Sequence, residues 1–284
     1  MIRYNENMKK RGEPKMKKLW IILCIFALSA CSTKQKDFVT LEVNGGQGVA
    51  VMNNRMYVNG SKQISIYKGK KKIKQNKNVF PGALGKVNHM GAISAARKAL
   101  YVPVEYFNGM NSSNLQIAVY DHDLKYQRSF AIQSSSGQKE CSAVAVDPDD
   151  HTLWLCEWGH EASSTYFYHY DQKGHYLGKI QMKNPVYDIQ GICIYHHELY
   201  IACDDGDDEK GESDHIYKMK LKDQASLVKV KTLNDVVDQG EVEGLCVNAS
   251  HLYVLYNRGA KVENGVVKGL KKGYTHQIHE VYIY

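Results

Sequence analysis

Two sets of polar side chains recur at matched places in this chain, and together they hold the groups needed for ion binding or proton transfer. The first set stands at the start of five short apolar runs: Gln47, His89 beside Met90, Glu140 near Ser142, Gln190, and Glu243 with Glu241 close by. The second set follows five Leu- or Met-led runs: Asn59, Glu105, Glu157 with Trp158, Asp204 with Asp205, and Asn257 with Arg258. Carboxylates and amide oxygens suit calcium or another divalent metal, and two carboxyls in different surroundings divide acid and base duties. His89, in Val87-Asn88-His89-Met90-Gly91, offers a base, a ligand or a hydrogen-bond donor. Glu157-Trp158 sets a carboxylate beside an aromatic face, a pairing that holds sugars or cations. The plainer reading of both sets is strand-end polarity, wetted by solvent and bonded to nearby backbone.

What would bring these residues together is a repeat. A polar residue, a small residue and three apolar or small positions begin at Gln47, Met90, Ser142, Gln190 and Glu243, at intervals of 43, 52, 48 and 53 residues. Each copy is answered after a short turn: Met56-Tyr57-Val58, Leu100-Tyr101-Val102, Leu153-Trp154-Leu155, Leu199-Tyr200-Ile201 and Leu252-Tyr253-Val254. Such intervals fit one four-stranded propeller blade with its loops. Alternating runs such as Ile117 to Tyr120 and Tyr166 to Tyr170 supply third strands, and more polar ones such as Tyr126 to Ile132, Tyr176 to Met182 and Leu227 to Leu233 supply exposed fourth strands. The last repeat ends at its third strand, His279 to Tyr284, and Phe38 to Val43 has the pattern to complete it and close the ring. The expected fold is all-β, a single β-propeller of five blades, with six as the alternative. Inner strands then begin, and second strands end, on one face, around the channel mouth. The second set is uneven there: Glu105, Asp204 and Asn257 lie five positions after the Leu, Glu157 four and Asn59 three. A bulge or a different facing in the first and third blades would account for it.

The amino terminus carries an address. Lys17-Lys18 precedes an apolar segment from Leu19 to Leu28, and Leu28-Ser29-Ala30-Cys31 places small residues before a cysteine. A basic start, an apolar stretch too short for an ordinary span and that cysteine form a signal peptide with a lipobox. The expected division is 1–31 for an upstream extension and signal peptide, 32–37 for a short linker and 38–284 for the propeller, with lipid carried by Cys31 and the protein held on the membrane of a bacterial cell envelope. Removing residues 1–31 takes away seven Lys or Arg and two Glu, so the formal charge falls from +7 to +2. Basicity is therefore mostly a property of the leader, and no nucleic-acid partner is expected. The run Lys68, Lys70, Lys71, Lys72, Lys74 and Lys77 sits at the turn from third to fourth strand of the first blade, without an aromatic platform.

Five cysteines follow Cys31. Cys193 and Cys246 fall inside innermost strands and read as small buried hydrophobes, while pairing of Cys156 with Cys203 across a blade interface stays open. The acidic stretch from Asp204 to Asp214 has alternate acids and a glycine but lacks the ligand order of a calcium loop, and reads as a solvated segment.

With Gln190-Gly191-Ile192-Cys193-Ile194 and Glu241-Val242-Glu243-Gly244-Leu245-Cys246-Val247 in hand, the chain resembles bacterial lipoproteins that carry an NHL, gluconolactonase-like or strictosidine-synthase-like (TolB-like) propeller. That resemblance spans most of 38–284 and implies a scaffold, a sensor or a calcium-dependent hydrolase. Lactonase-like members hold a metal through Glu, Asn and Asp at strand starts, which would place it on Glu243, Asn88 and Asp204 here. The leading expectation is a lipid-anchored propeller binding an extracytoplasmic glycan, small metabolite or protein through Gln47, His89, Glu105, Glu157, Trp158, Gln190, Asp204, Glu243, Asn257 and Arg258. One alternative is a divalent-metal-dependent lactonase or phosphodiesterase with His89, Glu105 and Glu243 as catalytic candidates. The other is a protein-interaction scaffold working through the disc face.

Overall fold

The computed structural model describes residues 38–109, 111–207, 210–236, 239–263 and 266–284. The signal segment with Cys31, the linker 32–37 and Asp208-Glu209 of the acidic stretch lie outside them. Residues Asp37–Tyr284 form a compact unit of their own. Five antiparallel blades follow one another along the chain. The first is Gly48–Met52, Arg55–Gly60, Gln63–Lys68 and Lys71–Asn76. In the second, His89–Met90 and Ser94–Ala96 share the inner position against Ala99–Phe107, followed by Ser112–Asp121 and Tyr126–Ala131. The third is Ala143–Val146, Leu153–Cys156, Tyr166–Tyr170 and Tyr176–Gln181, and the fourth Ile189–Tyr195, Glu198–Cys203, His215–Lys220 and Val228–Thr232.

The fifth blade runs Gly240–Asn248, His251–Arg258 and Ile278–Ile283, and its outermost strand is Val39–Glu42 from the other end of the chain. Val39 faces Ile283 and Glu42 faces Glu280 in that antiparallel pairing, so the ring is closed by strand addition as the pattern of Phe38 to Val43 predicts. One element was not foreseen. A hairpin, Ala260–Glu263 with Val266–Leu270, rises between the second and third strands of this blade on the mouth side, where Val267 joins the cavity wall.

Inner strands of neighbouring blades touch in cyclic order, first to second and round to fifth and first again. The small residue of each repeat makes this approach possible. A Cβ on Gly191 would stand 2.7 Å from the Cα of Gly244, and one on Gly244 would stand 2.8 Å from the Cα of Gly48. The second blade's inner strand breaks at Gly91 because Ala92 turns to the neighbouring blade, receiving the amide of Val144 and donating to the Ser142 carbonyl at 2.6 Å. Asn59 locks the first blade to the second, donating to the Gly91 carbonyl at 2.9 Å and accepting from the Ile93 amide at 3.2 Å.

Between the blades lie apolar layers of the alternating residues, with Tyr57, Tyr120, Phe167, Tyr168, Tyr170 and Tyr256 as their largest buried members. All five described cysteines are free thiols, so Cys156 and Cys203 share a core layer without a bond between them. Cys193 and Cys246 are partly exposed rather than buried, because their strands line a second recess of about 440 Å³ on the opposite mouth. Among the described residues, no helix is long and apolar enough to cross a membrane.

Candidate functional site

The channel mouth at the start of the inner strands opens into a cavity of about 840 Å³, within the range of small-molecule sites. Of the residues singled out from sequence, Gln47, His89, Glu105, Trp158, Gln190, Asp204, Glu243 and Asn257 line it. They come from all five blades. Bulges aim two of them. Ile189 faces Cys203 and Gly191 faces Ala202, which leaves Gln190 as the extra residue. Val242 faces Tyr256 and Gly244 faces Leu255, which leaves Glu243 as the extra one. An inserted residue of this kind turns its side chain out of the ladder. The first and third blades, where the spacing was uneven, pair their inner strands without a register shift. There the second alternative holds, a different facing: Asn59 is fully buried toward the second blade.

Three other expected residues are occupied elsewhere. Glu157 is 2% exposed and accepts the Lys139 amide at 2.9 Å. Asn88 closes a loop by donating to the Phe107 carbonyl and accepting the Phe107 amide, each at 2.8 Å. Arg258 is held by Glu280, Gln239, Tyr274 and Tyr282 beneath the hairpin. In the acidic stretch, Asp205 takes His215 and Tyr217, and Asp214 accepts the amides of Gly206 and Val242, so these two carboxyls fasten the loop.

The structure adds residues that sequence reasoning left out of its binding set. Glu140, Asp188 and Glu241 line the same cavity, as does His279. Each of these three acids stands two positions before the polar residue of its repeat, the place taken by Asn88 and Gly45 in the other blades. That spacing was the available signal. His279 had none, since its place depends on the closing blade, where it packs against Gly46.

Six carboxyls thus share one opening: Glu105, Glu140, Asp188, Asp204, Glu241 and Glu243. Their contacts are few. Glu243 accepts from Gln47 at 3.1 Å and from Asn257 at 3.4 Å, and Glu140 accepts the Trp158 amide at 2.7 Å. Glu105 lies 3.3 Å from His89 Nδ1, whose ring leans on Phe107 with 5.5 Å between centroids. Asp188 meets His160 Nε2 at 2.8 Å.

Burial followed by mutual repulsion pushes several of these acids upward. Glu243 is held well above the usual carboxylate range by burial and then by Glu241, and Asp204 by burial and then by Asp214, Glu241 and Glu243. Glu140 is raised by burial and Glu105. Glu241 is pushed up to about 7 and Asp214, just behind the wall, to about 6, burial leading in both cases. Burial also raises Asp188, against the pull of His160, and lowers His279. Carboxyls held up in this way keep their protons to higher pH, and a protonated carboxyl donates as well as accepts.

Four polar atoms on this wall have no hydrogen-bond partner among the described residues although they are buried: Glu105 Oε2, Asp188 Oδ1, Asn257 Oδ1 and Trp158 Nε1. The set expected for a metal does not assemble. Asn88 is turned into its loop, and among the described residues no three His, Cys, Asp or Glu side chains are grouped to hold a metal ion.

No family model matches the sequence, and no curated protein matches it. Solved structures do. An exo-1,5-α-L-arabinanase from a bovine ruminal metagenomic library is similar over 88% of this chain and 94% of its own, at 14% identity and a TM-score of 0.50. A luciferin-regenerating enzyme matches over 87% of this chain and 95% of its own, at 12% identity and a TM-score of 0.45. The hydrazine synthase of Kuenenia stuttgartiensis matches over 74% and 63%, at 16% identity and a TM-score of 0.43. At such identities the likeness is one of fold.

Proposed function

We propose that this chain is a lipid-anchored cell-envelope propeller that binds a small hydroxyl-rich ligand, a glycan fragment or polyol metabolite, in the acidic mouth of its channel. The observation that carries the reading is the convergence of four buried, unpartnered polar atoms, three acceptors and one donor, on a single cavity. Buried groups of this kind destabilise a fold unless something bonds to them. Hydroxyl groups both donate and accept, which suits a wall of mixed carboxyls, and Trp158 and Phe107 add aromatic surface for the apolar face of a ring. The anchor is supported by the basic start, the apolar segment and the small residues before Cys31.

Melting temperature measured against a panel of soluble saccharides and polyols tests the binding reading, since a ligand of the folded state raises it. At least one member is expected to do so, and Glu105→Gln to weaken it by about 10- to 100-fold, as loss of one charge-assisted hydrogen bond implies. A panel without effect, or a Glu105→Gln variant that binds unchanged, would remove the reading. A second reading, acid and base chemistry on the ligand, rests on the contact between His89 and Glu105 at the cavity wall. It requires turnover of a bound panel member that disappears in His89→Ala, and it falls if bound ligands are recovered intact. The residues proposed for a metal do not fit one, so no step is drawn through a cation.

A further inference from the structure

Lys77 at the end of the lysine-rich run of the first blade lines the mouth, whereas Lys68 to Lys72 lie toward the other side of the disc. Met56 faces Tyr67, and Lys68 faces Lys71, so the Gly69 turn stands level with the turn between the first and second strands, away from the cavity. The chain enters the propeller on the same side: Val39 faces Ile283, which faces Tyr253, just after the corresponding turn of the fifth blade. The two features are also neighbours around the ring. Leu41 of the closing strand packs in one apolar layer with Tyr67, Asn44 donates its amide to the Tyr67 hydroxyl at 2.7 Å, and Lys72 donates to the Asn44 side chain at 2.5 Å.

Charge is divided by blade around the ring rather than by face, since Asp147, Asp149, Asp150 and Asp171 stand at third-blade turns on this same side. Between Val43 and Val104 stand eleven Lys and Arg and no Asp or Glu, whereas the rest of 32–284 has nineteen basic and twenty-eight acidic residues. Asp123 of the second blade takes Arg55 at 3.5 Å and Lys74 at 4.0 Å. Lys68, Lys70 and Lys71 are exposed and form no ion pair among the described residues. Ile73, 44% exposed between Lys72 and Lys74, adds an apolar contact at the same edge.

We propose that the disc face opposite the acidic mouth docks on an anionic membrane surface through Lys68, Lys70, Lys71 and Lys72. The proposal rests on the anchor reading for its reach. Six residues separate Cys31 from Phe38, so a lipid on Cys31 holds the entry point within about 25 Å of the bilayer even with the linker fully extended. That reach lets the basic edge come within a Debye length, about 10 Å, of the surface, where anionic headgroups attract it. The disc then lies with its cavity open to the space beyond the membrane.

The test uses the unlipidated unit 37–284, a closed ring completed by its own first strand, sedimented with phosphatidylcholine vesicles with or without phosphatidylglycerol. Binding is expected only where phosphatidylglycerol is present, and high salt is expected to abolish it. Each lysine at such a surface contributes about fivefold to partitioning. Triple replacement, Lys68→Ala with Lys70→Ala and Lys71→Ala, should therefore weaken binding about 100-fold. The same number of changes on other exposed lysines, Lys183→Ala, Lys229→Ala and Lys268→Ala, should leave most of it. Equal binding to neutral vesicles, equal loss in both triple variants, or binding to random-sequence duplex DNA without vesicle binding would each overturn the proposal. Incorporation of labelled palmitate in cells, lost in Cys31→Ser, tests the anchor separately, so failure of one is not mistaken for failure of the other.

Discussion

Replacing Glu241 by Gln should stabilise this protein above about pH 5, and most at neutral to alkaline pH. Glu241 stands opposite Asn257 in the fifth blade and lines the mouth. Burial, and then the charges of Asp214 and Asp188, push its carboxyl up to about 7 from an ordinary 4.5. The folded protein therefore holds a proton that the unfolded chain releases at lower pH. Stability from this source is complete below about 4.5 and is lost as the pH rises through about 7. A displacement of that size corresponds to about 3 kcal/mol once the group must ionise in the folded state. Because one edge of the side chain is reached by water, about 2 kcal/mol is the expected effect. Glutamine keeps the shape and removes the charge. At about pH 8 the Glu241→Gln protein should melt some 4–8 °C above the parent, given about 2–4 °C per kcal/mol for a domain of this size. At about pH 5 the difference should shrink to about 1–2 °C. Thermal melts of both proteins between about pH 5 and pH 8.5 at constant ionic strength measure this. Curves that stay parallel across the range, or a variant destabilised throughout, would show that the mouth does not hold its carboxyls against ionisation.

Two further predictions concern the ring that brings the mouth together. Gly191→Val places side-chain atoms against the Gly244 backbone, where even a Cβ would approach to 2.7 Å. It should lower the urea midpoint by an amount equivalent to about 3 kcal/mol, the upper range for an overpacked site. Asn59→Ala strands the buried Gly91 carbonyl and Ile93 amide at the seam between first and second blades. A loss of about 2–4 kcal/mol is expected for two such groups, and a change under about 0.5 kcal/mol would mean the seam is held by other contacts.

The architecture was legible because each blade repeats a short pattern with a fixed sense. Five starts, five Leu- or Met-led answers and an unpaired strand at one end sufficed to predict the count and the closure by Phe38 to Val43, both seen in the strand pairing. The hairpin at Ala260–Leu270 was not legible, since it occurs once and interrupts a blade rather than following the repeat. At the mouth, sequence spacing located strand ends but not the direction of each side chain. Gln190 and Glu243 reach the cavity by being the extra residue in a bulged pair, a property of backbone register. Glu157 and Asn88 are polar and suitably placed along the chain, yet local backbone amides and carbonyls claim them first. Arg258 is drawn to Glu280 in the next strand and to the loop beneath the hairpin. Asp188 could have been found by asking what stands two residues before each repeat, where Glu140 and Glu241 also lie.

The acid content of the mouth is not explained by the ring itself. The blades are joined by close backbone approach at Gly191 and Gly244, by the Asn59 seam and by layers of buried tyrosine, and none of these contacts uses a mouth carboxyl. Inner strands that all begin on one face oblige any polar residue at the repeat's start to converge there, but they do not oblige it to be acidic, as Gln47, Ser142 and Gln190 illustrate. Yet six carboxyls gather in a partly dry opening, where burial opposes ionisation of Glu140, Asp188, Asp204, Glu241 and Glu243, and Glu105 is left with an unpartnered oxygen. Each such group lowers the stability of the unliganded fold, and removing the charge at Glu241 is predicted above to return part of it. A ligand whose hydroxyl groups meet Glu105, Asp188, Asn257 and Trp158 would offset that disadvantage in the bound state, which is why binding, rather than scaffolding by the disc alone, accounts for the residues found at this mouth.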